Sequence, residues 1–185
     1  MTKKKVIVIS GPSGVGKGSV ITELLKRMPS LALTVSATTR QKRDGEINAK
    51  DYYFLSDSEF EKFIENDEFL EYCKVHVNYY GTLKSEVKRI QDSDKNVLIE
   101  MDVQGAKKIK EKVPDAMFLF IAPPNMRELE NRLRNRNTEP EEIIQKRLNT
   151  AKLELQAIQG YNFVVINDSL MQTINEIEEI INNFN

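Results

Sequence analysis

Val6-Ile7-Val8-Ile9-Ser10, then Gly11-Pro12-Ser13-Gly14-Val15-Gly16-Lys17-Gly18-Ser19, then Val20-Ile21-Thr22-Glu23-Leu24-Leu25-Lys26 is the stretch that decides the fold. The first run reads as a buried strand and the last as a helix. A glycine-rich turn between strand and helix points successive backbone N–H groups into one concavity, and the helix N-terminus adds partial positive charge. Lys17 is then placed to reach the outer phosphates of a nucleotide, so residues Gly11, Pro12, Ser13, Gly14, Val15, Gly16, Lys17, Gly18 and Ser19 read as a P-loop for nucleotide phosphates. One departure stands out. The pattern wants Ser or Thr directly after the lysine, but Gly18 occupies that place and the hydroxyl comes one later, at Ser19. Phosphate cradling is unaffected, and which hydroxyl meets Mg²⁺ is left open.

Outward from this stretch, near-continuous apolar runs predict strands at Leu31–Ser36, Val97–Met101, Met117–Ala122 and Phe163–Ile166. Helical spacing predicts Lys17–Met28, Leu83–Ser93, Gln104–Lys112, Asn125–Asn135, Pro140–Gln159 and Leu170–Asn183. Thr138…Glu141 and Ser169…Gln172 have the capping-box form, with Asn125…Glu128 a near relative. Strands alternating with helices predict an α/β fold with a doubly wound parallel sheet and ligands at the strands' carboxyl ends. Ala37–Thr82 breaks the rhythm with short strands (Tyr52–Leu55, Phe69–Val75) and a helix from Ser58 to Asn66, which reads as an inserted lobe. Asn125–Lys152, rich in arginine, reads as a mobile helical lid.

Composition narrows the class. The chain has 185 residues, 30% charged and 40% hydrophobic, enough for one compact core. A net charge of −1 argues against general nucleic-acid or membrane affinity, so any anion site must come from local clustering of Arg and Lys. The one cysteine, Cys73, cannot form an intramolecular disulfide, and a reducing, cytoplasmic setting is expected. The apolar run behind the basic start is too short for a signal peptide, and no stretch reaches membrane-spanning length.

The glycine-rich loop alone leaves ATPase, GTPase, kinase and transporter subunit open. No Asn-Lys-x-Asp guanine signal of the GTPases is present. Thr38-Thr39-Arg40-Gln41-Lys42-Arg43-Asp44-Gly45-Glu46 followed by Asp51-Tyr52-Tyr53-Phe54 offers two arginines and a tyrosine, groups that bind phosphate oxygens. Phe69-Leu70-Glu71-Tyr72, Asn78-Tyr79-Tyr80-Gly81-Thr82 and Ile99-Glu100-Met101-Asp102-Val103-Gln104-Gly105 follow in order. With these five motifs in register from Val6 to about Phe184, the chain closely resembles guanylate kinases of the nucleoside-monophosphate kinase group.

The resemblance implies transfer of the γ-phosphoryl of ATP to GMP with Mg²⁺, in purine nucleotide metabolism and GMP recycling. It implies one domain over 1–185, with core 1–35, 83–124 and 153–185, a GMP-binding lobe 36–82 and a lid 125–152. By the same resemblance Arg40, Arg43, Tyr52 and Tyr80 match ligands of the GMP phosphate, and Ser36, Glu71 and Thr82 match ligands of guanine. Asp102 matches an acidic residue at the GMP and metal side, Arg132, Arg136 and Arg147 match arginines that close on the phosphates, and Asn167 matches a residue beside the ATP base. ATP and GMP are the expected partners, with dGMP an acceptor to be tested and no obligate protein partner implied. Where the family's lid usually reads Gly-Arg-Gly-Thr, this chain has Asn135-Arg136-Asn137-Thr138, and Val77 stands where glycine is common.

The chemistry of the residues supports the same reading. Guanine presents N1–H and its 2-amino group side by side, and a carboxylate such as Glu71 offers two acceptors to meet them, whereas adenine would oppose lone pairs. No general base is needed, because the attacking GMP oxygen is already anionic near neutral pH. Catalysis then consists of positioning and charge neutralisation by Lys17, the loop amides, Mg²⁺ and Arg40, Arg43, Arg132, Arg136 and Arg147. Ser19, Glu100 and Asp102 are candidates for holding Mg²⁺ through water. His76, Cys73 and Tyr79 read as packing residues, and the stripe Ile174, Ile177, Ile180 and Ile181 as a core-facing helix surface. The competing reading is a catalytically inactive guanylate-kinase-like module that binds phosphopeptides.

Overall fold

A computed structural model describes residues 4–75, 77–135 and 140–184. His76, Arg136, Asn137 and Thr138, singled out above, lie outside the described residues. Five strands form a parallel sheet in the order β2-β7-β1-β8-β9: β1 (Val6–Ser10), β2 (Leu31–Leu33), β7 (Asn96–Glu100), β8 (Met117–Ala122) and β9 (Phe163–Ile166). The first strand is central and later strands are added on both sides of it, the doubly wound arrangement expected. β1 and β8 are buried at every position, as a strand with both faces covered must be. Phe118, Phe120, Ile7 and Ile9 are among the largest fully buried side chains.

A second, four-stranded sheet has the order β4-β3-β6-β5: β3 (Ala37–Thr38), β4 (Tyr53–Phe54), β5 (Phe69–Val75) and β6 (Asn78–Leu83). It packs on helix α2 (Asp57–Glu65), whose Phe60 is buried between Phe69, 4.3 Å away, and Tyr79, 5.2 Å away, in near-parallel stacking. Ring pairs of this kind add about 0.5–1.5 kcal/mol beyond their buried area. Cys73 is buried in β5, and Tyr79 is part of this stack, so both serve packing.

The chain divides into two compact units. One comprises Met1–Val6, Ser30–Ile99 and Gln104–Ala116; the other comprises Ile7–Pro29, Glu100–Val103 and Met117–Asn185. The first carries the four-stranded sheet with α3 (Lys84–Asp92) and most of α4 (Val103–Lys112). The second carries α1 (Lys17–Arg27), α5 (Met126–Arg134), α6 (Glu141–Leu155) and α7 (Leu170–Asn183). Ile174, Ile177 and Ile181 of α7 are buried, while Ile180 is half-buried.

Several boundaries depart from expectation, each with a local cause. The strand expected over Leu31–Ser36 ends at Leu33, because the Val35 N–H donates to the Glu86 side chain and the Ser36 carbonyl accepts from Tyr53 N–H in the other sheet. The helix expected over Pro140–Gln159 is α-helical only to Leu155 and continues as a 3₁₀ turn over Gln156–Gly160. Ser169 caps α7 by backbone geometry without a side-chain hydrogen bond, so no capping box forms there. Asn125 does cap α5, accepting from Glu128 N–H at 2.9 Å. Ser56 and Glu59 form a full capping box on α2 that was not anticipated. Two strands were missed. β3 has only two residues, and Asn78 and Gly81 give β6 the look of a turn until β5 pairs with it.

Candidate active site

Within the second unit, Gly11–Ser19 joins β1 to α1. Helix α1 has no side-chain cap and no acidic residue in its first turn; its cap is Gly16, at φ +100°. Its first N–H groups are therefore left to an external partner, and the partial positive charge there is not cancelled. Helix α5 closes on the loop from one side. Gly14 sits at φ +86°, a conformation that favours glycine, and a Cβ there would lie 2.6 Å from Leu133 Cδ2. Ser13, Gly14, Gly16, Lys17, Gly18 and Ser19 line one side of a cavity of about 660 Å³, with Glu100 also in its wall.

Lys17 folds back over the loop, donating to the Gly11 carbonyl at 2.5 Å and to the Pro12 carbonyl at 3.3 Å. Burial lowers its pKa, and the carboxylates of Glu100, Glu154 and Asp102 oppose that shift. Burial raises the carboxyl of Glu100, with Lys17 acting in the other direction. Glu154, likewise raised by burial, is held back by Lys17 and by a hydrogen bond from the Ser13 backbone, and its Oε2 is buried without a hydrogen-bond partner. The arginines are close by. Arg147 donates to Ser13 Oγ at 3.0 Å, and Arg132 donates to the carbonyls of Asn167 (2.9 Å) and Val15 (3.3 Å) while pairing with Glu128.

Glu154 was not singled out from the sequence, though a signal was present. It lies seven residues after Arg147, nearly two full helical turns, so both project from one stripe of α6 and both address Ser13. Lys17, Glu100, Asp102, Arg132, Arg147 and Asn167 thus all lie in the unit that carries the glycine-rich loop.

The other unit gathers the remaining candidates. Arg40 makes a bidentate pair with Glu46, at 3.0 and 2.8 Å, and its guanidinium lies 5.4 Å from the centre of the Tyr52 ring. Tyr52 and Tyr80 meet edge to face at 6.2 Å, and Tyr80 hydrogen-bonds Arg40. Glu46 also accepts from Arg43 N–H at 2.8 Å, which ties the loop to the same carboxylate, while the Arg43 side chain is exposed. Its hydrogen bonds to Arg40 and to Arg43 hold the Glu46 carboxyl down at about 2.

Tyr80 and Thr82, two apart on β6, face the same side of the sheet. Thr82 donates to Glu71 Oε1 from its backbone N–H (3.1 Å) and its hydroxyl (2.9 Å). Glu71 is 5% exposed and Thr82 1%, so a carboxylate is buried here and held by charge-assisted bonds. Ser36 contributes its carbonyl to the joint with Tyr53. Glu46 appeared in the sequence only as the end of a motif, and its part as the holder of Arg40 is legible only in the structure.

Comparison with known proteins agrees with this geometry. A family model described as guanylate kinase matches residues 3–184. A guanylate kinase of Caldanaerobacter subterraneus subsp. tengcongensis is 48% identical over 95% of this chain and 85% of its own length. One of Clostridium tetani is 48% identical over 98% of this chain and 86% of its own. Among solved structures, a guanylate kinase of Anaplasma phagocytophilum superposes with a TM-score of 0.79 at 30% identity, covering 98% of this chain and 86% of that one. An uncapped glycine-rich anion cradle with its lysine, a buried carboxylate on β5 and a match spanning nearly the whole chain converge, and the chain belongs to the guanylate kinase family.

Proposed function

We propose that this chain transfers the γ-phosphoryl group of ATP to GMP, giving ADP and GDP. The observation that carries the reading is the buried Glu71–Thr82 pair on the sheet face shared with Tyr80, in a member of this family. A carboxylate there offers two acceptors to the paired N1–H and 2-amino donors of guanine, and Thr82 and Ser36 complete the recognition of the base. Arg40, Arg43, Tyr52 and Tyr80 hold the GMP phosphate, with Asp102 at the acceptor and metal side. The backbone of Gly11–Ser19 and Lys17 hold the ATP phosphates, which makes this loop a P-loop. Arg132, Arg147 and Arg136 (the last outside the described residues) neutralise charge as the phosphoryl group moves.

The reacting GMP oxygen is already an anion, so no side chain has to take its proton. The chain's contribution is to align two highly charged groups and exclude water between them, with 125–152 as a lid. Ser19, Glu100 and Asp102 offer hard oxygen donors, and two of them already act on the Lys17 ammonium. That set suits a Mg²⁺ ion held through water, which when bound neutralises charge on the phosphates. Among the described residues no helix is long and apolar enough to cross a membrane. A cytoplasmic enzyme of purine nucleotide metabolism that recycles GMP accords with the single cysteine.

The test is ADP release from ATP with GMP, AMP, UMP or no acceptor. We expect GMP to be preferred over AMP by roughly four orders of magnitude in kcat/KM, as for sites built on buried hydrogen bonds to the distinguishing group. Equal turnover of GMP and AMP would sink the assignment.

A further inference from the structure

Asn167 follows β9 and is 6% exposed, with its side chain committed inward. Its Nδ2 donates to the Val15 carbonyl at 2.8 Å, and its Oδ1 accepts from Thr173 Oγ1 at 3.0 Å. Thr173, on α7 and 1% exposed, also approaches the Ile166 carbonyl at 3.3 Å. A peptide unit is planar and trans, so its C=O and the following N–H point in opposite directions. Pinning the Val15 carbonyl toward Asn167 turns the Gly16 N–H the other way, toward the side where the loop must present its donors. A Cβ on Gly16 would sit 2.7 Å from Asn167 Nδ2, so the amide and the glycine backbone are fitted to each other.

We infer that Asn167 and Thr173 are positioning residues, a side-chain relay from α7 that sets the Val15–Gly16 peptide of the phosphate-binding loop. The role is distinct from the expected place of Asn167 beside the ATP base, which leaves its side-chain amide uncommitted. Meeting a base edge would require the amide to give up buried bonds to Val15 and Thr173. Thr173 drew no attention in the sequence, where it is one polar residue within an apolar helical stripe. The inference rests on the reading that Gly11–Ser19 binds ATP phosphates.

Inorganic tripolyphosphate carries the phosphates of ATP without its base, so it separates the two roles. Two charge-neutral variants break the relay: Thr173→Val removes the hydroxyl at constant shape, and Asn167→Leu removes both ends of the amide. Calorimetric titration of each variant with ATP and with tripolyphosphate is expected to show both ligands weakened together, roughly tenfold, the size of one buried hydrogen bond. The KM for GMP stays unchanged, and Thr173→Ser, which keeps the hydroxyl, restores wild-type affinity. ATP weakened with tripolyphosphate unaffected would make Asn167 a base contact and overturn the relay. Thr173→Val and Thr173→Ser equally impaired, or GMP affected in the same proportion, would overturn it too. A wild-type protein that binds tripolyphosphate but does not phosphorylate GMP refutes the acceptor assignment alone, and the variants still read the relay. Failure of the wild type to bind tripolyphosphate overturns both.

Discussion

At the scale of single residues, the site depends on charges that other side chains hold in place. Arg40 is an arginine in a basic loop by sequence, and the structure shows why it is ordered: Glu46 binds it through two oxygens and Tyr52 lies under it. The Glu46 carboxyl sits at about 2, below its ordinary 4.5. A carboxyl lowered on folding adds stability that is present above its unfolded pKa and lost as pH falls through the folded one. The Arg40–Glu46 pair should therefore hold at neutral pH and open only in strong acid. NMR titration of the Glu46 side chain should show a midpoint near 2, and a midpoint near 4.5 would mean the pair is not populated in solution. Glu71 makes a different claim. Glu71→Gln retains the shape but replaces one acceptor by a donor, so kcat/KM for GMP should drop roughly hundredfold, the loss of about 3 kcal/mol of charge-assisted bonding. Steady-state kinetics should find the KM for ATP unaltered, and equal losses for both substrates would make Glu71 a structural residue.

At the scale of elements, helices α1 and α2 begin in different ways. Helix α2 has a complete capping box, with Ser56 and Glu59 satisfying each other's backbone groups. Helix α1 has no side-chain cap, and that omission leaves its N–H groups available to phosphate. Ser56→Ala should cost about 1 kcal/mol, a loss of roughly 2–4 °C in Tm for a chain this size, with GMP and ATP affinities unchanged. Thermal melts monitored by circular dichroism measure this directly, and an unchanged Tm would show the box contributes nothing. The bounds of β1 and β8, buried on both faces, coincide with those read from their apolar runs, and so do those of the edge strand β9, whose Val164 and Ile166 are exposed. Where a backbone group leaves the ladder for a side chain, as Val35 does for Glu86, the apolar run continues past the strand and misleads.

At the scale of the whole molecule, the candidate donor and acceptor groups are divided between two compact units, one holding Lys17 and the glycine-rich loop, the other holding Arg40, Tyr80 and Glu71. Each nucleotide should therefore stabilise the protein alone. At a hundredfold excess over Kd, ligand linkage contributes about 2.7 kcal/mol, or roughly 5–10 °C in Tm. Hydrogen exchange should place protection by GMP on residues 36–83 and protection by ATP on residues 11–19. Protection of residues 11–19 by GMP alone would contradict this division.

The sequence by itself determined the βα loop and the strand-helix alternation, because glycine spacing and apolar periodicity are local properties, and its ordered motifs carried the resemblance to the family. Only the tertiary structure decided how the candidate site's side chains are held. Glu46 clamps Arg40, Glu154 joins Arg147 at Ser13, and the Asn167 side chain donates to the Val15 carbonyl while accepting from Thr173. Arg147 and Asn167 reach residues of the glycine-rich loop 134 and 152 positions away. Arg40 and Glu46 stand six apart and meet because their loop turns back on itself. Such contacts follow from the path of the backbone in space, which apolar periodicity does not encode.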